Sequence, residues 1–298
     1  MRLCLGTVQF GCDYGIRGGR QPSVEDAVRM LDYATQNGVD AIDTAVAYGS
    51  AEEVVGEFLG RKAVPRDRIF VVSKFGTDIF KGVAPGKWAT ALSAAVARSL
   101  VRLKTDYLDA YICHVATAVT DAALCDAMAK VKVSGLVRHI GFSVYETDEA
   151  KSCASNGVCD FIQVPFSVLD QRMATGGALA AAAARGMTVH ARSAFVQGLA
   201  LMEDGEIPEH LAAVRPAVRR LGELCAAVGV SRRALALAFV RRRREISHLV
   251  FGVDDIGQLQ ENIAAFAESV PDDALDAAER IFHEMDPDLV MPNRWRRK

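Results

Sequence analysis

The sequence has 298 residues, of which 50% are hydrophobic and 24% are charged, and its 35 basic and 37 acidic side chains give a formal net charge of −2. This profile is typical of a globular protein, and it excludes the strongly basic surface that nucleic-acid binding or attachment to an anionic membrane requires. Seven cysteines without a C-x-x-C pair argue against a disulfide framework and against a structural zinc site.

The sequence also lacks the apolar segments that targeting or membrane insertion would need. Glycine and polar residues interrupt the first segment before a signal-peptide core could form, and the alanine-rich stretch 176–186 is too short to cross a bilayer. We therefore expect a cytoplasmic, reduced protein with no bound metal and with neither a nucleic acid nor a membrane as partner. The sequence carries no signal for an oligomeric state.

Eight short apolar runs, rich in β-branched residues and bounded by turn residues, predict buried parallel strands. In chain order they are 3–8, 41–45, 69–75, 107–114, 137–143, 161–166, 187–193 and 247–253. Helical periodicity fills the gaps between them. The clearest helix lies within 23–38, where Ser23 is a candidate N-cap and Gly38 a candidate terminator. Further helices are predicted over 87–103, 120–132, 146–155, 174–185, 231–242 and 255–267.

Strict alternation of strands and helices predicts a single (β/α)8 TIM barrel with an eight-stranded parallel core over residues 1–298. The connection 198–230 is longer than one loop needs, which predicts an extra helix after the seventh strand. Residues 271–298 predict a further helix at the C-terminus followed by a basic tail. No segment resembles a flexible linker between domains.

Four ionisable side chains fall at the carboxyl ends of predicted strands, where barrels of this kind carry their chemistry. They are Asp43, Tyr48, Lys74 and His114. Taken singly, Asp43 could accept hydrogen bonds from its own loop, Tyr48 could be a half-buried ring, and His114 could be structural. Lys74 is harder to explain in this way, because an ammonium in so apolar a run must find a partner or lose its charge.

Together these four side chains suit carbonyl reduction. A lysine ammonium beside Tyr48 lowers the pKa of the phenol, and an aspartate keeps the lysine charged and oriented. A neutral histidine can polarise a carbonyl oxygen by hydrogen bonding. Tyr48 would then give a proton to that oxygen, while the hydride, which no side chain donates, implies a nicotinamide cofactor.

With these residues in place, the chain resembles the aldo-keto reductase family nearly from end to end. Seven motifs occur in order and with matching spacing: LGTVQFG (5–11), DTAVAYG (43–49), VVSKFG (71–76), YLDAYICH (107–114), GLVRHIGFS (135–143), FIQVPFSVLD (161–170) and GVDDIGQLQEN (252–262). The resemblance implies a (β/α)8 barrel whose catalytic residues are Asp43, Tyr48, Lys74 and His114.

The resemblance also implies a site for NADP(H) or NAD(H). The expected contacts are Gly6, Thr7, Ser143 and Gln163 around the nicotinamide, Arg192 and Ser193 near the ring and pyrophosphate, and Gly252, Asp254, Gln258 and Asn262 at the adenosine end. Arg192 stands where many members stack an aromatic ring. Because a carboxylate repels a 2′-phosphate, Asp254 and Asp255 predict a weaker preference for NADP than is usual in the family.

The substrate pocket is expected to be formed by loops that follow the strands. Its candidate residues are Val8, Tyr14, Val46, Phe75, Trp88, Val115 and Phe195. This mixture suits a small aldehyde, a sugar lactol or an aromatic carbonyl equally well. The leading hypothesis is an NAD(P)-dependent aldo-keto reductase or sugar dehydrogenase (EC 1.1.1.-). Two alternatives remain open: a non-catalytic nicotinamide-binding regulatory subunit, and an aldolase that forms a Schiff base on Lys74.

Overall fold

The computed structural model describes residues 1–16, 18–19 and 21–295. Its eight strands run parallel and pair in chain order, and the eighth pairs with the first to close a barrel. The strands are β1 (Arg2–Gly6), β2 (Val39–Asp43), β3 (Phe70–Phe75), β4 (Leu108–Cys113), β5 (Val137–Ser143), β6 (Phe161–Pro165), β7 (Thr188–Arg192) and β8 (His248–Gly252). The (β/α)8 barrel is therefore confirmed, and every predicted strand begins and ends within two residues of an observed one.

Helices pack around the outside of this barrel. They are α1 (Val8–Gly11), α2 (Val24–Gln36), α3 (Ala51–Gly60), α4 (Trp88–Leu103), α5 (Ala122–Val133), α6 (Thr147–Ser155), α7 (Arg172–Thr175), α8 (Ala178–Ala184), α9 (Arg215–Val228), α10 (Arg232–Arg241), α11 (Ile256–Ala267), α12 (Asp272–Phe282) and α13 (Pro287–Val290). The extra helix after the seventh strand is α9, and the C-terminal helices are α12 and α13. Residues 296–298 of the basic tail lie outside the described residues.

The predicted helix 174–185 is wrong as a single element, because two glycines divide it. It consists of α7 and α8, and between them Gly177 has a left-handed φ of 76°. A Cβ at the preceding Gly176 would also lie 2.5 Å from the Thr147 side chain. The alanines of this segment favour a continuous helix, but the backbone conformation at Gly177 interrupts it.

Alternate side chains of each strand point into the barrel. Phe70 and Val72 of β3 belong to the interior cluster that also contains Phe161, whereas Val71 and Phe75 belong to the larger core shared with the helices. Because side chains alternate along a strand, Lys74 continues the inward row that Phe70 and Val72 begin. Strand β3 therefore places the ammonium group of Lys74 inside the barrel, near its carboxyl end.

Histidines and the phenylalanines Phe70 and Phe161 form a ring layer inside the barrel at its amino end. The centroid of the Phe70 ring lies 5.9 Å from that of His139, 5.5 Å from that of His190 and 6.0 Å from that of His248. His190 is fully buried, and neither of its ring nitrogens has a hydrogen-bond partner among the described residues. Burial lowers the pKa of His190 well below its usual range, and the nearby His248 and Lys74 lower this pKa further.

Because His190 is neutral when folded and titrates near pH 6.5 when unfolded, the unfolded chain binds the extra proton as the pH falls. We expect the free energy of unfolding to decrease below about pH 6.5, with a contribution from His190 of at most about 1.4 kcal/mol per pH unit. Urea unfolding of His190→Leu between pH 7 and 5 should show a shallower loss. Substitution of the exposed His210 by leucine should leave the slope of the wild type, and an unchanged slope in His190→Leu would contradict this assignment.

Candidate active site

Strands β2 and β3 bring Asp43 and Lys74 together inside the barrel. The Lys74 Nζ lies 2.5 Å from Asp43 Oδ1, and it also donates to the carbonyl oxygen of Thr44 at 3.0 Å. Lys74 has no exposed surface and Asp43 is 4% exposed. Burial lowers the pKa of Lys74, but the Asp43 carboxylate and the Tyr48 hydroxyl raise it more, so the pKa ends above its usual value. The ammonium is therefore charged at neutral pH.

The Tyr48 hydroxyl lies directly against this ion pair. Its oxygen is 3.3 Å from Lys74 Nζ, and that nitrogen also lies 4.8 Å from the centroid of the Tyr48 ring. Burial raises the pKa of Tyr48 and Lys74 lowers it, with a net rise. Lys74 thus lowers the pKa of Tyr48, as the sequence predicts, but burial raises this pKa by more. The phenol is protonated at neutral pH, which is the state that can donate a proton.

The His114 ring lies beside Tyr48 on the cavity wall. The two ring centroids are 5.7 Å apart, with an angle of 78° between the planes. Burial lowers the pKa of His114 to about 3, and the positive charges of Lys74 and Arg192 contribute to the shift. The ring is therefore a neutral imidazole at neutral pH, so it can donate one N–H without carrying a charge.

The amide of Gln163 is tied to the same carboxylate. Its Nε2 donates to Asp43 Oδ2 at 2.6 Å. A carboxylate only accepts hydrogen bonds, so this contact fixes the amide orientation and leaves Gln163 Oε1 as an available acceptor. Ser143 pairs with Gln163 across β5 and β6, and its buried Oγ has no hydrogen-bond partner in the described part of the chain. These two groups fit a nicotinamide carboxamide, which offers both an N–H donor and a carbonyl acceptor.

Close backbone packing holds the loop that carries Tyr48. Gly49 has a left-handed φ of 55°, and a Cβ on Gly11 would lie only 1.8 Å from the Tyr48 carbonyl oxygen. The short helix α1 therefore rests directly on this loop. Ser50 occupies the N-cap position of α3, but its side chain caps no backbone N–H; instead, Ser50 Oγ accepts a hydrogen bond from Gln21.

A cavity of about 470 Å³ opens above these groups. It is lined by most of the residues that the sequence singles out: Gly6, Thr7, Val8, Tyr14, Asp43, Tyr48, His114, Gln163, Arg192, Ser193, Phe195, Gly252, Asp254, Gln258 and Asn262. Lys74 and Ser143 are buried below its surface. A volume of this size lies within the range of small-molecule sites.

Four expected pocket residues, Val46, Phe75, Trp88 and Val115, are not among the residues described as lining the cavity. Phe75 follows the inward-pointing Lys74, so its ring points to the helix layer and packs 5.1 Å from Tyr111. Trp88 stacks on Phe80 at 4.5 Å and donates its indole N–H to a backbone carbonyl. Val46 is 43% exposed at the surface.

Arg192 lies on the cavity wall, with its guanidinium held in place by its neighbours. Its Nη2 donates to the Val144 carbonyl at 2.9 Å, and its Cζ lies 4.3 Å from the centroid of the Tyr145 ring. The following residue, Ser193, has a left-handed φ of 66°. The cavity therefore presents a planar cation at this position of its wall.

The two acids at the start of α11, which look alike in sequence, have different environments. Asp255 is the exposed N-cap, and its Oδ1 accepts from the backbone N–H of Gln258 at 2.8 Å. Asp254 lines the cavity, and its Oδ1 is buried without a hydrogen-bond partner among the described residues. The Gln258 side chain is occupied by Asp254, accepting from its backbone N–H at 3.1 Å and donating to its Oδ2 at 3.3 Å.

Sequence reasoning missed several cavity residues, among them Tyr145, Gln197 and Arg233. Gln197 donates to the Tyr14 hydroxyl at 3.1 Å, so it connects the loop after β7 to the loop after β1. It follows Val196, and both have left-handed φ angles, of 57° and 49°. Neither these backbone conformations nor the reach of Arg233 from α10 has a local sequence signal.

Within residues 1–16, 18–19 and 21–295, no group of three or more histidine, cysteine or acidic side chains could hold a metal ion. No helix of that same part of the chain is long and apolar enough to span a bilayer.

Comparison with known proteins establishes the family. The model of the Aldo/keto reductase family matches residues 2–282, so the chain belongs to that family. A curated relative, the NADH-specific methylglyoxal reductase of Escherichia coli, is 27% identical over 91% of each chain. Norsolorinic acid reductase stcV of Emericella nidulans is 26% identical, covering 92% of this chain and 76% of its own.

Solved structures agree on the fold. A provisionally assigned 2,5-diketo-D-gluconic acid reductase B superposes with a TM-score of 0.70 at 23% identity, over 100% of this chain and 90% of the other. A provisionally assigned aldo-keto reductase from Pseudomonas aeruginosa superposes with a TM-score of 0.66 at 22% identity, over 89% of each chain.

The packing of Gly11 against the Tyr48 carbonyl can be tested by substitution. In Gly11→Ala the new methyl group must displace the loop, and a shift of about 1 Å at a reacting group can reduce turnover about 100-fold. We expect kcat for aldehyde reduction to fall by about that factor. Gly86→Ala is a matched control, because a Cβ there meets no atom within 4 Å. Equal kcat values in the two variants would show that this contact does not position Tyr48.

Proposed function

We propose that this protein is an NAD(P)-dependent oxidoreductase that interconverts a carbonyl and an alcohol, with Tyr48 as its general acid and base. The observation that carries the proposal is the buried Lys74–Asp43 ion pair against the Tyr48 hydroxyl. Membership of a family whose named relatives include reductases supports the same reaction class.

In the direction of reduction, the Tyr48 hydroxyl donates its proton to the carbonyl oxygen of the substrate. Lys74 stabilises the phenolate that remains, and Asp43 keeps this ammonium charged and oriented. The neutral His114 ring donates a hydrogen bond to the same carbonyl oxygen and polarises it. In the direction of oxidation, the phenolate takes the proton of the alcohol.

A bound nicotinamide cofactor would supply the hydride. Ser143 and Gln163 would hold its carboxamide, and Gly6, Thr7, Arg192 and Ser193 would lie along the ring and pyrophosphate. Gly252, Asp254, Gln258 and Asn262 would form the adenosine end of the site. The unpartnered buried oxygens of Ser143 and Asp254 support this placement, because each requires a hydrogen bond that a ligand could provide.

The same contacts argue against the aldolase alternative. A Schiff base requires an uncharged amine with room for the substrate carbon. Lys74 has no exposed surface, and its Nζ donates to Asp43, Thr44 and Tyr48. The geometry also gives a purely regulatory role no particular support, since all four catalytic candidates are present and in contact range.

The decisive variant is Tyr48→Phe, which removes the proton donor and little else. We expect turnover of methylglyoxal or nitrobenzaldehyde, followed by nicotinamide absorbance, to fall by about 100- to 10,000-fold. Cofactor binding, followed by quenching of protein fluorescence, should stay near that of the wild type. Tyr33→Phe, a half-buried tyrosine of α2 outside the cavity, is the matched control.

Other outcomes of that experiment would point elsewhere. Retention of most of the rate in Tyr48→Phe would refute the role proposed for this hydroxyl. Tight cofactor binding without turnover of any carbonyl or sugar by the wild type would favour a regulatory subunit. An adduct on Lys74 that borohydride traps would favour the aldolase.

We further propose that Asp254 disfavours NADP relative to NAD. Its buried oxygen can accept a hydrogen bond from a ribose hydroxyl but repels a 2′-phosphate. Asp254→Ser should therefore raise the ratio of NADPH affinity to NADH affinity by about tenfold or more, measured by equilibrium binding. Asp67→Asn, an exposed acid remote from the cavity, is the control. A wild type that binds NADPH a hundredfold more tightly than NADH would contradict the assignment.

A further inference from the structure

Arg233 reaches from α10 into the wall of the cavity formed by α11. Its Nη1 donates to Asn262 Oδ1, and its Nη2 donates to Glu261 Oε2 at 2.7 Å. Arg233 and Asn262 both line the cavity, and Asn262 is only 2% exposed. The guanidinium therefore contacts an almost fully buried amide of α11. It is itself held in place by Glu261, an acid of the same helix α11.

This contact determines which end of the Asn262 amide is available. A guanidinium has N–H donors and no acceptor, so the atom that it contacts must be the carbonyl oxygen. Because Oδ1 accepts from Arg233, Nδ2 is the end of the amide that remains for a ligand in the cavity. The orientation of the Asn262 amide is thus fixed, with its NH2 group available as a hydrogen-bond donor.

The neighbouring amide of Gln258 is directed to Asp254. Both ends of the Gln258 side chain are engaged by Asp254. Of the two amides that one face of α11 brings to the cavity, Asn262 is the one whose NH2 group has no partner among the described hydrogen bonds. The orientation of this group follows from the contact between Arg233 and Asn262 Oδ1.

The charges around Arg233 distinguish this role from phosphate binding. Asp254, Asp255 and Glu261 bring three carboxylates to the start and middle of α11, whereas Arg233 brings one positive charge. Two nitrogens of the guanidinium are already committed to Glu261 and Asn262. A 2′-phosphate would have to share the guanidinium with both contacts and would still face Asp254.

We propose that Arg233 is a positioning residue for the adenine base: it holds the Asn262 amide with Nδ2 turned to an acceptor nitrogen of the purine ring. This proposal rests on the proposed function, because it requires that the cavity bind a nicotinamide adenine dinucleotide. It assigns Arg233 to base recognition rather than to the discrimination between NAD and NADP.

Equilibrium binding tests this role without turnover. The ligands are NADH, NADPH and reduced nicotinamide mononucleotide, which lacks the adenosine half, and the readout is quenching of protein fluorescence. Arg233→Met keeps the aliphatic stem and removes the donors, so we expect it to weaken NADH binding about tenfold. Binding of the mononucleotide should stay unchanged, and Arg233→Lys, which restores one donor, should recover part of the loss.

A double-mutant comparison shows whether Arg233 acts through Asn262. Asn262→Ala should weaken NADH binding by a similar factor, and the variant with both substitutions should be no weaker than Asn262→Ala alone. Arg219→Met is the matched control, because Arg219 lies on α9, is 61% exposed and pairs only with Asp204 in the described contacts. Its affinities should equal those of the wild type.

Four results would overturn the proposal. Unchanged NADH binding in Arg233→Met would show that the contact does not affect recognition. A loss confined to NADPH would assign the guanidinium to the 2′-phosphate. Fully additive losses would show that Arg233 acts independently of Asn262. A wild type that binds the mononucleotide but not NADH would also refute it while leaving the nicotinamide site intact, whereas binding of no nicotinamide compound at all would refute the proposed function itself.

Discussion

The arrangement of the candidate site depends on one buried ion pair. An ammonium without exposed surface is stable inside a barrel only if a carboxylate accompanies it, because the desolvation of an unpaired ion costs several kcal/mol or more. The neighbouring strand β2 provides that carboxylate in Asp43, and the second oxygen of Asp43 in turn binds Gln163 from β6. Removing one partner of such a pair commonly destabilises a protein by about 3–5 kcal/mol.

The charge of Lys74 also contributes to the pKa values of the groups around it. It contributes to the lowered pKa of His114, and it opposes the rise that burial causes in the pKa of Tyr48. Burial is the larger cause of both shifts, and the cation adds to it at His114 but opposes it at Tyr48. The Lys74 charge therefore favours a neutral imidazole and makes the phenol more acidic than burial alone would leave it.

The two ends of the cavity are built by different means. The end that contains Asp43 and Lys74 is formed by inward positions of neighbouring strands, where the barrel register leaves little freedom. The other end is formed by α10, α11 and the loops after β1 and β7, whose side chains reach one another across long sequence separations. Gln197 and Tyr14, for example, are 183 residues apart in the chain but in hydrogen-bond contact.

The sequence by itself determined the eight strands, the closed parallel barrel and the placement of Asp43, Tyr48, Lys74 and His114 at its carboxyl end. These follow from local periodicity, from the alternation of side chains along a strand and from a polar group placed in an apolar run. The tertiary structure alone decided which atoms meet: that Gln163 binds Asp43, that Asp254 faces the cavity while Asp255 caps a helix, that Phe75 turns away, and that Arg233 reaches Asn262. Such contacts join residues from separate elements, and their geometry depends on packing distances and side-chain directions that no local pattern encodes.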